Sequence, residues 1–206
     1  MEEIKSALEI ALEKAKGISV PEKEIEKDTA LEQGKKLAAE YLKNPKFNLS
    51  AKLTDLSGQE IKDKNRNYIL EGAISVFLKN IVLPENKEKK KENLRAMEGL
   101  FILKKEKDKL RDFFAETDQF FDDYLEQRKQ LYEHLRKKYE QALRQNEQIK
   151  ILEEQFKQQG LKLRIAVEQN PQFQQEWRAL LSQLDHDYNT QLDSVKQQLE
   201  LMKNID

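Results

Sequence analysis

No proline occurs between Pro84 and Pro171, and that single gap limits what the chain can become more than any other feature. Proline costs about 3 kcal/mol or more inside a helix, so the four at 21, 45, 84 and 171 mark element boundaries. From Asn86 to Gln159 the pattern predicts helix throughout. At 1.5 Å per residue an unbroken helix of that span would be about 110 Å long, more than a compact domain of this mass encloses. The reading is therefore a long stalk with Gly99 as its one interior weak point.

Assigning Phe114, Phe121, Arg128, Leu135, Ala142, Ile149 and Phe156 to heptad position a puts Leu110, Thr117, Tyr124, Leu131, Lys138, Gln145 and Leu152 at d. Flanking apolar residues move from Phe113 and Phe120 on one side to Leu125, Tyr132 and Tyr139 on the other. A straight helix of period 3.6 drifts that way against a 3.5 repeat, so little supercoil is expected. Asn170-Pro171 opens a last helix, read as 171–204, whose apolar series Phe173, Trp177, Leu181, Leu184, Tyr188, Leu192, Val195, Leu199 and Met202 supplies the partner. Folding back from about 159 would make facing residue numbers add to about 330, with Trp177 near Glu153 and Val195 near Leu135. Between the arms, Leu161 to Val167 alternates with period two and reads as a short strand in need of a partner.

The amino-terminal part, 1–84, reads as a helical cluster. Ile4, Leu8, Ala11 or Leu12, and Ala15 form one stripe on a helix of about 2–16, and Gly17 can end it. A second helix runs from Glu22 to Leu42, with Leu31, Leu37, Ala38, Tyr41 and Leu42 inward, until Asn44-Pro45 stops it. Residues 47–58 fit alternation and a helical turn alike, and are read as loop with short helix. Residues 66–82, with Tyr68, Ile69, Ala73, Ile74, Val76, Phe77 and Ile81, describe a helix buried on most of its circumference. The fold class is all-α: this cluster, then a coiled-coil-like hairpin over 85–206 formed by 86–159 and 171–204.

Charged residues are 36% of the chain, which suits helices with wide solvated faces, and a net charge of -1 gives no general pull toward polyanions. The absence of cysteine excludes disulfides, thiolate catalysis and thiolate zinc sites. No apolar run approaches the roughly 18 residues that span a bilayer and the first residues lack a secretory pattern, so the expected location is the cytoplasm, without membrane contact. There is no phosphate loop, nucleophile elbow or zinc signature. His134 and His186 lack the Glu three residues earlier that helical di-iron sites use, and Asp185-His186-Asp187 points in three directions around a helix. No catalytic residue, metal or cofactor is expected, and the protein is not expected to be an enzyme. Carboxylates at Asp112, Glu116, Asp118, Asp122, Asp123 and Glu126 read as a solvated face.

Two features suggest partners. Phe113, Phe114, Phe120, Phe121 and Tyr124 are too wide for a two-helix seam; either the amino-terminal helices cover them or they bind a second subunit or another protein. Residues 85–112 hold ten basic and seven acidic groups, with Lys87, Lys89, Lys90, Lys91, Lys104, Lys105 and Lys107 the candidate contacts to RNA. The favoured function is a scaffold or adaptor acting through protein contacts and self-association, with Arg128, Lys138 and Gln145 in the seam fixing register or partner choice. The alternatives are an RNA- or ribosome-associated factor and a holdase-like chaperone.

The segments Glu3-Ile4-Lys5-Ser6-Ala7-Leu8-Glu9-Ile10-Ala11-Leu12-Glu13-Lys14, Phe120-Phe121-Asp122-Asp123-Tyr124-Leu125-Glu126-Gln127-Arg128 and Asn170-Pro171-Gln172-Phe173 together resemble an uncharacterised family of bacterial helical proteins, a domain of unknown function. The resemblance covers nearly the whole chain. It implies a helical fold and assigns no functional residue.

Overall fold

Asparagine side chains start four of the helices. The computed structural model describes residues 22–57, 63–161, 163, 166–202 and 204–205. Its α-helices are α1 (Glu22–Lys43), α2 (Leu49–Ser57), α3 (Asp63–Asn80), α4 (Lys87–Leu103), α5 (Lys107–Arg144), α6 (Glu147–Gln158) and α7 (Pro171–Leu201), with a 3-10 turn at Val167–Gln169. Asn48 accepts from the amide of Ala51 at 3.0 Å, Asn86 from Lys89 at 2.8 Å and Asn146 from Gln148 at 2.9 Å. Asn170 accepts from both Gln172 and Phe173, ahead of Pro171, whose missing N–H costs nothing at a helix start. The class is all-α, and no strand occurs among the described residues. The predicted first helix, 2–16, lies outside them.

The chain divides into two units, residues 1–78 with 204–206 and residues 79–203. In the first, α1 and the part of α3 up to Leu78 cross with their backbones nearly touching. A Cβ on Gly34 would fall 1.9 Å from the carbonyl oxygen of Ile69, and one on Gly72 2.1 Å from that of Leu31. Only glycine permits that approach. Ala38, Tyr41, Leu49, Ile69, Leu70, Ala73 and Phe77 are buried, with Tyr41 edge-on to Phe77 at 5.7 Å. Residues 49–57, ambiguous in sequence, are helical because Asn48 caps that turn.

In the second unit the proline-free run is three helices and not one. Gly99 is not where it breaks: it is buried within α4. The first break is at Lys104, whose backbone is extended and whose ammonium donates to the carbonyls of Glu200 at 3.3 Å and Met202 at 2.7 Å. Beside it Lys107 donates to the carbonyls of Phe101 and Ile102, satisfying acceptors that the end of α4 leaves open. The second break is at Gln145-Asn146, where the Asn146 cap starts α6 and Arg144 pairs with Glu153 across the turn.

These breaks change the hairpin. Tyr124 meets Asp185 and Tyr188, Tyr132 meets Trp177, and Tyr139 meets Phe173, so facing residue numbers add to about 310 and not 330. The return helix begins opposite Tyr139 because α5 has nearly ended there, and α6 lies outside the pairing. Leu110, Thr117, Phe121, Tyr124 and Leu135 are buried in the predicted seam, whereas Lys138, Ala142 and Gln145 are exposed. Of the strand expected at 161–167, residues 162, 164 and 165 lie outside the described residues; Leu161, Leu163 and Ala166 are in neither helix nor strand, and Val167 opens the 3-10 turn, its side chain buried with Leu135 and Phe173.

Candidate functional site

Two of the three polar residues read into the seam reach across the second unit. Arg128 on α5 donates to the backbone carbonyl of Glu85 at 3.0 Å, and Lys138 donates to Glu176 on α7 at 2.7 Å, while Gln145 sits at the break after α5. Tyr139 donates to the other oxygen of Glu176 at 2.9 Å. The turn before α4 is fixed from its other side by Asn93, which is fully buried. Its amide donates to Val82 O at 2.5 Å and its carbonyl accepts from Val82 N at 3.3 Å. A buried amide so satisfied costs little, whereas one left open would cost about 1–3 kcal/mol.

An aromatic ladder runs between α5 and α7. Phe120 and Tyr124 lie 5.0 and 5.2 Å from Tyr188, and Tyr132 lies 5.2 Å from Trp177 and 5.8 Å from Phe173. Tyr124 is 3% exposed and donates to Asp185 at 2.6 Å. Burial first, then this bond to a carboxylate, pushes its phenol well above the usual tyrosine range. Burial likewise raises Tyr132, helped by Glu168.

The phenylalanine doublets are thus divided. Phe121 is fully buried and Phe120 packs on the cluster of Tyr124, Leu184 and Tyr188, so α7 contributes the cover at this point. Phe113 and Phe114 are half-buried, with Phe114 6.3 Å from Phe101.

The candidate lysines are largely engaged. Lys90 binds Asp118 at 2.7 Å and Asp122 at 2.6 Å; burial opposes its charge, but the two carboxylates raise its pKa overall. Lys89 pairs with Glu92, and Lys104 and Lys107 hold helix ends, each with its pKa lowered by burial. Lys87, Lys91 and Lys105 are exposed. His134 and His186 are exposed as well, and no group of three potential metal ligands occurs among the described residues.

Two surfaces remain that the sequence patterns did not single out. A groove of about 350 Å³ is lined by Glu85, Leu125, Arg128, Lys129, Tyr132 and Trp177. The other is α6, which buries no residue and leaves Ile151 57% and Leu152 40% exposed; Leu161, just beyond its Gly160 cap, is 54% exposed. Trp177, the sole tryptophan, was the one signal in the sequence for the groove. For α6 it was Asn146, a helix-starting residue inside an apparently continuous helix.

Residues 56–201 match the model of a family of unknown function (DUF6657), and the chain belongs to that family. No curated protein and no solved structure matches the chain. No helix among the described residues is long and apolar enough to cross a membrane.

Proposed function

We propose that the protein is a non-enzymatic helical scaffold or adaptor that works through protein–protein contacts and self-associates. The supporting observation is α6: Ile149, Leu152 and Phe156 recur at three- and four-residue spacing, yet nothing in the helix is buried. Isolated apolar residues on a surface need no explanation, but Ile151, Leu152 and Leu161 are all exposed within one short segment beyond the paired hairpin. An amphipathic helix this short gains most of its stability from packing, so an external partner would stabilise it.

Sedimentation velocity over a wide concentration range tests the reading. The wild type is expected to associate, and Ile151→Glu with Leu152→Glu to remain monomeric with unchanged helicity. A wild type that stays monomeric at the highest concentrations removes self-association. The RNA-associated alternative has less support because Lys89, Lys90, Lys104 and Lys107 already bind carboxylates or carbonyls. The holdase alternative has less because Phe121 and Tyr124 are enclosed.

A further inference from the structure

We propose that the groove bounded by α5, α7 and the turn before α4 receives a partner's peptide segment in which a carboxylate stands next to an aromatic ring. The proposal rests on the adaptor reading for the source of the segment; its chemistry comes from the groove.

Size sets the first limit. About 350 Å³ is near the lower end for ligand sites, which suits one ring and one small polar group but not a cofactor. The walls set the second. Leu125, Tyr132 and Trp177 give an apolar surface, with the rings of Tyr132 and Trp177 edge to face at 5.2 Å. Trp177 is only half-buried, so ring area remains for a further aromatic contact.

Charge sets the third. Elsewhere in this unit Lys90, Arg136, Lys138 and Arg144 each meet a carboxylate. Arg128 is different: its guanidinium donates to the neutral backbone carbonyl of Glu85 and not to a carboxylate oxygen. Lys129, next to it, makes no ion pair among the described residues. Against these two cations the groove has one carboxylate, Glu85. One anionic group is therefore favoured there, and a guanidinium is well shaped for a carboxylate.

The same surface disfavours a nucleic acid. A neighbouring cavity that shares Leu125 and Lys129 is lined by Glu88, Asp122, Asp123 and Glu126 with Lys87 as its one further cation, and Asp122 is paired with Lys90, so a phosphate chain leaving the groove would meet an excess of negative charge. A single acidic side chain beside a ring avoids that repulsion.

Because Trp177 is the only tryptophan, its emission reports on the groove directly. The full chain is titrated with N-acetyl-Asp-Phe-amide and, separately, with N-acetyl-Asn-Phe-amide, which has the same size without the charge. Saturable change in Trp177 emission is expected with the acidic peptide, at about tenfold higher affinity than with the neutral one, as one charge-assisted hydrogen bond provides. Lys129→Gln, at an exposed side chain with no ion pair, is expected to remove most of that preference without altering the thermal melt. Arg128→Gln should do so too, but it also frees the turn at Glu85, so Lys129→Gln is the deciding variant. Equal affinity for the two peptides, an unchanged preference in Lys129→Gln, or no saturation at millimolar peptide would each overturn the proposal. Oligouridylate binding that Lys129→Gln abolishes would overturn the choice of a peptide. Peptide binding by the monomeric Ile151→Glu, Leu152→Glu protein would support the groove even if self-association through α6 failed.

Discussion

Tyr124 and Asp185, 61 residues apart in the chain, are joined by a hydrogen bond of 2.6 Å inside the α5–α7 seam. The bond gives the hairpin a polar fixed point between apolar layers. Tyr124→Phe should destabilise the protein by about 1–2 kcal/mol, because Asp185 loses its donor in a half-buried site. The sign of the pH effect follows from the raised pKa of Tyr124. Its stabilising contribution is complete below the unfolded tyrosine value of about 10 and declines above it, where the unfolded chain ionises first. Denaturant midpoints of wild type and Tyr124→Phe should therefore converge above about pH 10; a constant gap contradicts this.

Gly34 and Gly72 let α1 and α3 cross at backbone contact. Alanine at either site places its Cβ within 1.9 or 2.1 Å of a carbonyl oxygen, and backbone cannot swing aside as a side chain would. Each substitution should cost at the upper end of about 1–3 kcal/mol by denaturant unfolding. The double substitution should cost less than the sum, since one enforced separation of the helices relieves both clashes.

Lys104 is 1% exposed and holds the end of α7 through Glu200 and Met202. Lys104→Met keeps the bulk but leaves those carbonyls without their donor. Hydrogen exchange should quicken in the last turn of α7, by about tenfold at Leu199 to Leu201, with little change near Leu184. Burial lowers the pKa of Lys104, with the charge of Glu200 opposing, so the folded state releases the proton before the unfolded chain does. Wild type should thus gain stability relative to Lys104→Met as pH rises toward the usual lysine value near 10.4.

Asn170 accepts from two amides at the start of α7, and Asn146 from one at the start of α6. Asn170→Ala should lower global stability by about 1 kcal/mol. Asn146→Ala should leave global unfolding nearly unchanged, because α6 buries nothing, and should instead lower helicity locally in hydrogen exchange.

Much of the architecture could be read from residue spacing. The end of α1 at Asn44-Pro45, the start of α7 at Asn170-Pro171 and the buried series from Leu110 to Leu135 follow from local chemistry and period. The break at Lys104 could not be read in that way. Lys104 is an adequate helix former, and its extended backbone exists because the end of α7, almost a hundred residues later, offers carbonyls to its ammonium. The error in register came from the second break: with α5 ending at Arg144, the return helix meets Tyr139 and not Phe156. The doublets left two readings open, cover by the amino-terminal helices or an interface, because a two-helix seam cannot hide them all; a ladder with Tyr188 stacked beside Phe120 and Tyr124 hides more than heptad counting allows. The groove depends on residues from three segments, which no single pattern brings together.

The constant offset between facing residues along α5 and α7 constrains how this hairpin can vary in length. Losing two turns from one strand of the pair would move every ring below the cut past its mate, and Lys138 would no longer reach Glu176. Viable length variants must therefore gain or lose equal numbers of residues on both sides of the seam. Of the segment between the arms, α6 buries none of its residues and can change length by itself, whereas Val167 is tied to Leu135 and Phe173.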